Sequence, residues 1–538
     1  MTKLLSQIAE RKGSEPALID ERGTTTWSAF DERANRLIHA LRDRGLGPGS
    51  TVALMSGNRR EAFEVTAAAA HAAWVIVPVN WHWVEDELVY VVEDAGADAL
   101  VVEDRFFAVA VAAADRLGAT CPVRIVIGDP GPVSASGDSL AGDDAAAATA
   151  HGFESYEGLL ASGSPADPAD QAMGGPMFYT SGTTGFPKGV RSSLTAVGAD
   201  VGMLELIAAG FSDMLGLPAD GVTLLEGPMY HSAQWVFSMF PLVGKGSTVV
   251  MRHQFDAAET LELIDRYQVT NVHLVPTQLL RMLKLPDAVR SAFDGSSLVI
   301  VHHGAAPCPP TVKRSMLEWW GPKVSEYYGG TEGGFLTMIS GAEWLERPGS
   351  IGQALAVVEL RVLDDAGVEC PANTSGQIYF KSLMGNDFEY HNAPDKTAAA
   401  HSSDGYGTLG DIGYVDDDGF VFLSDRKIDM IISGGVNIYP AEIEGVLVTH
   451  PAVADAAVFG VPDDEFGEQV KAVVELVDGA EVGDDIQQQL IDHVRQHLAG
   501  YKAPRSVELS EHLPRTPTGK LLKRQLRDPY WEGSGRTI

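Results

Sequence analysis

Between Tyr179 and Gly189 the chain reads Tyr-Thr-Ser-Gly-Thr-Thr-Gly-Phe-Pro-Lys-Gly, crowding small residues, hydroxyls and one lysine into a single loop. Its glycines let successive backbone N–H groups turn toward one anion with no Cβ in the way. The hydroxyls of Thr180, Ser181, Thr183 and Thr184 and the ammonium of Lys188 add donors and positive charge. Such a loop suits a polyphosphate better than it suits a mobile surface turn. It is not a Walker A loop: Pro187 replaces the glycine before the lysine, and Gly189 stands where a magnesium-binding Ser or Thr belongs. A different nucleotide fold is implied.

At 538 residues the chain exceeds what one core supports and should divide into two or more units. Its formal charge of −33 argues against a nucleic-acid partner, which needs a basic face, and against an anionic membrane surface. Local Lys/Arg pockets in an acidic surface are expected instead. Cys121, Cys308 and Cys370 follow no metal-ligand spacing and cannot all pair, so a reducing cytoplasm fits. The most apolar run, from Ala67 to Val79, contains His71 and falls short of the roughly 20 residues a membrane span needs. Neither terminus reads as a secretory or peroxisomal signal.

Ser28 can cap a helix whose apolar residues Phe30, Ala34, Leu37, Ile38 and Leu41 share a face, with Gly45 closing it. Val52 to Met55, a helix from about Glu61, Val75 to Val79, a helix near Glu87 to Glu93, and Leu100 to Val102 then alternate as in a mostly parallel sheet, so the fold class is α/β. Gly131 to Gly175 reads as a long irregular connection. A second α/β stretch follows from about Thr223 to Gly329, then a β-rich piece with short strands such as Gln377 to Phe380, and after Arg426 a small α+β unit.

Further motifs follow the loop in order: Tyr230-His231, Gly304-Ala305-Ala306-Pro307, Tyr328-Gly329-Gly330-Thr331-Glu332, Gly410-Asp411, Asp425-Arg426, Ser433-Gly434-Gly435, and Pro517-Thr518-Gly519-Lys520. Together they make the sequence resemble the adenylate-forming superfamily of acyl-CoA synthetases, peptide-synthetase adenylation domains and luciferases over nearly the whole chain. The resemblance implies a large amino-terminal domain, 1–426, of two α/β sheet subdomains and a β-rich one. A mobile α+β domain, 427–538, follows it. It also implies that ATP activates a carboxylic acid: the acid attacks the α-phosphate, pyrophosphate leaves, and an acyl-adenylate forms.

By the same resemblance, Thr180, Ser181, Gly182, Thr183, Thr184, Gly185 and Lys188 cradle phosphates, and Thr331 adds a hydroxyl to the α-phosphate. Glu332, with Thr180, holds Mg²⁺, a hard cation that prefers oxygen ligands. Tyr328 and Gly329 face adenine opposite Gly304, Ala305, Ala306 and Pro307. Asp411 accepts from the ribose hydroxyls and Arg426 supports it. Lys520 is the implied catalytic lysine, bridging carboxylate and α-phosphate. Gly434 and Gly435 line a channel for the pantetheine arm of coenzyme A, where a side chain would obstruct the thiol. His231 gates the acid, and Trp235, Val236, Met239, Tyr327 and Phe335 flank these motifs as an apolar acid pocket.

The bland readings are a core histidine for His231, a turn for Gly410-Asp411, helix capping for Thr331-Glu332 and a solvated surface lysine for Lys520; motif order favours the functional ones. His302-His303 finds no further ligand at metal spacing and reads as structural. Ile428 departs from the charged hinge residue usual in the family, which leaves adenylation intact and bears on the switch to thioester formation. The expected activity is therefore an acid:CoA ligase. Its alternatives are an amide ligase passing the adenylate to an amine, a luciferase-like oxygenase, and an inactive nucleotide-binding protein.

Overall fold

Val52 and Leu54 project into one apolar cluster while Ala53 and Met55, between and after them, project into another. That alternation recurs along Val75–Pro78 and Ala99–Glu103, and every residue of all three strands is buried. Apolar residues at both phases of a period of two are what a parallel strand covered on both faces requires. The computed structural model describes residues 4–128, 151–180, 187–426, 429–433, 436–463, 466–477, 479–480, 483, 485–515 and 521–532. They form two compact units. The first takes in the chain up to His273 with Asp287–Val301 and Gly385–Ala399; the second holds Leu274–Pro286, His302–Met384 and the chain from Ala400 onward.

In the first unit a six-stranded parallel sheet runs in the order Glu154–Ser155, Val123–Ile127, Ala99–Glu103, Thr51–Met55, Val75–Pro78, Gly175–Pro176. A second sheet aligns Asn271, Val222–Leu225, Thr248–Met251 and Pro16–Asp20 in parallel, with Gly23–Thr26 antiparallel at its edge. In the second unit Val324–Gly330, Gly334–Ile339, Gly352–Ala354, Phe420–Arg426, Asp411–Val415, Gly376–Ser382 and Val358–Leu363 are neighbours in that order, each antiparallel to the next. The last part of the chain makes a smaller sheet. In it Val453–Asp463 and Gly467–Leu476 pair antiparallel, Ser506–Ser510 adds in parallel, and the helices Pro440–Leu447 and Ile486–His497 share its core. This is the expected α/β architecture with an α+β carboxyl-terminal part.

Two local expectations need correction. The first long helix, Trp27–Arg42, is capped by Thr26, whose hydroxyl accepts from the Ala29 N–H at 3.3 Å, and not by Ser28. Trp27 is fully buried, so the helix begins early enough to carry the indole inward, leaving Ser28 exposed on the first turn. Within the stretch read as irregular, Tyr156–Ser162 is a helix capped by Ser155. Tyr156, Leu159 and Leu160 bury one face of it at helical spacing.

Glu226 follows the strand Val222–Leu225 and is 3% exposed. Neither carboxyl oxygen has a hydrogen-bond partner among the described residues, and the neighbouring Thr260 hydroxyl donates to the Asp256 carbonyl at 2.6 Å. Burial pushes this carboxyl up from 4.5 to about 8. The folded state holds its proton more tightly than the unfolded chain does, so stability falls as pH climbs from 4.5 toward 8. Glu226→Gln mimics the neutral acid. Urea denaturation should find the variant close to wild type at pH 5 but more stable at pH 8.5, by on the order of 3–5 kcal/mol. Equal differences at the two pH values would contradict a buried neutral carboxyl.

Candidate active site

Phe178–Thr180 and Lys188–Ser192 pair antiparallel with Lys188 opposite Thr180, so the two ends of the Gly/Thr loop close on one residue pair. Ser181, Gly182, Thr183, Thr184 and Gly185 lie outside the described residues. A third strand, Phe388–Tyr390, sets Tyr390 opposite Val190 and brings its ring centroid to 5.0 Å from the Lys188 ammonium. A cation over an aromatic face gains about 0.5–1 kcal/mol at a partly exposed site. The hairpin is fastened at Asp94, the last residue of the helix Glu85–Asp94. The Tyr179 hydroxyl donates to its Oδ2 at 2.6 Å, and His391 Nε2 lies 2.9 Å from its carbonyl oxygen. Burial and the Asp94 carboxylate push the Tyr179 phenol well up, so it stays a donor. A Cβ on Gly189 would stand 3.1 Å from both Tyr179 Cζ and His391 Cβ. This last glycine of the motif answers to packing.

The segment before His231 is nailed down by Asn58, a buried amide that donates to the carbonyls of Gly227 (2.8 Å) and Arg252 (2.9 Å) and accepts from the Met229 N–H (2.9 Å). His231 then occupies the N-cap position of the helix Ser232–Lys245 without a side-chain cap bond, its ring 4.5 Å from that of Tyr230. Trp235 and Met239, one turn apart, are buried in the apolar core, with Trp235 edge-on to Phe178 at 5.9 Å. Val236 and His231 are only partly buried. Of the expected pocket residues on this helix, two fill the core and two reach its margin.

In the second unit Tyr328, Gly329 and Gly330 end the strand Val324–Gly330. Thr331, Glu332 and Gly333 make the turn into Gly334–Ile339, where Gly330 opposes Gly334. A Cβ on Gly329 would sit 1.8 Å from the Gly334 carbonyl oxygen, so only glycine lets this hairpin close. The Tyr328 hydroxyl donates to Asp411 Oδ2 at 2.7 Å, with both residues buried. Asp411 in turn stands directly opposite Arg426 in the pairing of Asp411–Val415 with Phe420–Arg426. A Cβ on Gly304 would come within 2.7 Å of the Tyr327 ring, which meets Phe335 edge-on at 4.9 Å. Burial pushes the Tyr327 phenol up.

Thus Gly304, Tyr327, Tyr328, Phe335 and Asp411 are linked through direct contacts, and Thr331 and Glu332 lie in the adjoining turn. The Arg426 side chain, Ile428, Gly434, Gly435 and Lys520 lie outside what the structure describes. No group of three or more His, Cys, Asp or Glu side chains among the described residues could hold a metal ion, and His302 and His303 are fully buried. Asn58, Asp94, Tyr390 and His391 were not legible as site-supporting residues. Each acts on a motif from far along the chain, and none carries a spacing that betrays it.

Comparison with known proteins supplies what geometry does not. A family model described as AMP-binding enzyme matches residues 5–384, and one for the AMP-binding enzyme C-terminal domain matches 442–520. A fatty acid–[acyl-carrier-protein] ligase of Streptomyces coeruleorubidus is 31% identical over 538 residues, spanning 98% of this chain and 96% of that one. A medium/long-chain-fatty-acid–CoA ligase of Mycobacterium tuberculosis is 30% identical over 548 residues, spanning 99% and 91%. Among solved structures, the amide bond synthetase McbA from Marinactinospora thermotolerans superposes with a TM-score of 0.78 at 26% identity, covering 98% of this chain and 99% of that one.

The Tyr328–Asp411 bond is a buried hydrogen bond to a carboxylate, the kind whose loss costs about 1.5–3 kcal/mol. Tyr328→Phe should lower stability by that order in urea denaturation. A double-mutant cycle with Asp411→Asn should return a coupling of about 1–2 kcal/mol. Additive effects would mean that the two side chains stand independently.

Proposed function

The chain belongs to the AMP-binding enzyme family and is an AMP-forming acid ligase, and from that premise we propose that it joins a carboxylic acid to coenzyme A through an acyl-adenylate. The observation that carries this reading is the near full-length match to ligases that hand a fatty acyl group to a thiol, one to coenzyme A and one to a carrier protein. The acid oxygen attacks the α-phosphate of ATP and pyrophosphate leaves. The coenzyme A sulfur then attacks the acyl carbon, the bond to AMP breaks, and AMP departs.

Each residue's role follows from what its chemistry can do. Lys188, held over Tyr390, supplies positive charge to phosphate oxygens, and Thr180 at the foot of the same loop adds a hydroxyl. Thr331 offers a second hydroxyl. Glu332, a partly exposed carboxylate in a turn, would hold Mg²⁺, which when bound neutralises phosphate charge; one carboxylate plus substrate phosphates is an ordinary magnesium donor set. Gly304–Pro307 and Tyr328 take adenine, and Asp411, with Arg426, takes the ribose hydroxyls. His231 and Val236, at the margin of their helix, face the acid, and Trp235, Met239, Tyr327 and Phe335 form its apolar support. Gly434 and Gly435 line the thiol's approach in a domain that we place from residue 427 onward.

The likeness to an amide bond synthetase, together with Ile428 at the hinge position, favours an amine acceptor as the second reading. Product analysis with ATP, a panel of acids, and either coenzyme A or amines separates the two. We expect AMP and pyrophosphate in equal amounts, strict dependence on magnesium, and a thioester. Release of ADP would overturn the adenylation reading, and an amide without any thioester would replace coenzyme A by an amine. Lys520→Ala should cut acid-dependent pyrophosphate exchange by roughly 10²–10³-fold. It should largely spare thioester formation from supplied acyl-adenylate. Equal loss in both assays would refute a lysine used only for the first half-reaction.

A further inference from the structure

Lys313 is completely buried, an unusual place for an ammonium unless it is paired. It lies on the first turn of the helix Pro310–Trp320, and its Nζ is hydrogen-bonded to Nε2 of His303, the last residue of the strand Ile300–His303. Both nitrogens stand 3.6 Å from Oε2 of Glu326, on the strand Val324–Gly330. An ammonium can only donate, so with Lys313 charged, His303 Nε2 is the acceptor, its ring is neutral and Lys313 is the cation facing Glu326. Burial lowers Lys313 and pushes Glu326 up to about 7 against their mutual attraction. The nearby Cys308 thiol is itself pushed up by burial and by Glu326, so it adds no further charge.

Stability is a poor reason for such a cluster, because a buried ion pair replaced by apolar residues of like volume is often no less stable. Its place in the chain suggests another. His303 and Lys313 bracket the loop Gly304–Pro309, and Glu326 immediately precedes Tyr327 and Tyr328. Across this same gap the backbone of Gly304 packs on the Tyr327 ring, too closely for a Cβ. Ala305 holds φ +66°, a left-handed conformation that a non-glycine residue keeps only when its surroundings enforce it. A loop under strain needs both of its ends fixed.

We infer that His303, Lys313 and Glu326 are positioning residues, a buried clamp that sets the gap between Gly304–Pro307 and Tyr328 and so tunes affinity for the adenosine half of the nucleotide. The inference rests on the nucleotide reading above. The test is calorimetric titration of the full-length protein with AMP, with tripolyphosphate as a probe of the phosphate half alone, together with turnover at saturating ATP. Lys313→Met leaves Glu326 buried without its cation and should destabilise the fold. Lys313→Met/Glu326→Gln removes both charges and should regain most of that stability.

The double variant should nonetheless bind AMP about tenfold more weakly, the factor that 1.4 kcal/mol of lost preorganisation produces. Its tripolyphosphate affinity should stay at the wild-type value, and its kcat within about threefold, a split that a general loss of structure would not give. If the double variant is not folded, Glu326→Gln alone keeps the side chain's shape and should weaken AMP in the same direction. Wild-type AMP affinity in either folded variant overturns the clamp. Equal weakening of AMP and tripolyphosphate also overturns it. A wild-type protein that binds neither AMP nor ATP removes the nucleotide reading, and the clamp falls with it.

Discussion

Strands covered on both faces give most of their length to apolar side chains, so the motif residues of this fold gather at strand ends, and a mid-strand polar group such as Glu326 needs a buried partner. Thr51–Met55, Val75–Pro78 and Ala99–Glu103 are buried throughout. The motif residues obey the same constraint in both units. Thr180 and Lys188 face each other where a hairpin opens, Glu226 to His231 follow Val222–Leu225, and Gly304 follows Ile300–His303. Thr331 and Glu332 follow Val324–Gly330, and Asp411 begins its own strand. Loops carried on rigid strand ends can differ in chemistry without disturbing the core, which is why ligases with different acyl acceptors share one scaffold.

That constraint also decides what could be read from the sequence. The α/β alternation was legible because buried strands are apolar runs and amphipathic helices keep their period, and the motifs were legible because each is contiguous. Thr26 displaced Ser28 as a cap because Trp27 seeks the core, a tertiary preference that local capping chemistry does not reveal. Asn58, holding Gly227 from 169 residues away and Met229 from 171, and Asp94, holding His391 from 297 away, act through space. The fully buried Lys313 was invisible for the same reason: in sequence it is an ordinary polar position on an amphipathic helix.

Three buried carboxyls meet one physical problem in three ways. Glu64 accepts from Arg33 Nε at 2.7 Å and from the Tyr156 hydroxyl at 2.8 Å, and burial still holds its carboxyl near 7. Glu326 has Lys313 and reaches a similar value, while Glu226, with no hydrogen-bond partner among the described residues, rises to about 8. For Glu64 and Glu326, partners therefore recover only part of what desolvation takes. Glu64 ties the helix Arg60–His71 to Trp27–Arg42 and to Tyr156, so its bonds serve packing within the first unit.

A chain of net charge −33 that handles polyphosphates must keep some cations electrostatically available. Tyr390 holds the Lys188 ammonium through the ring quadrupole and brings no charge of its own. At a partly exposed position such as this one, screening shortens the reach of a charge to about 8–10 Å at ordinary ionic strength. The third strand of the hairpin sheet, Phe388–Tyr390, thus supports the lysine of the Gly/Thr loop with an uncharged ring.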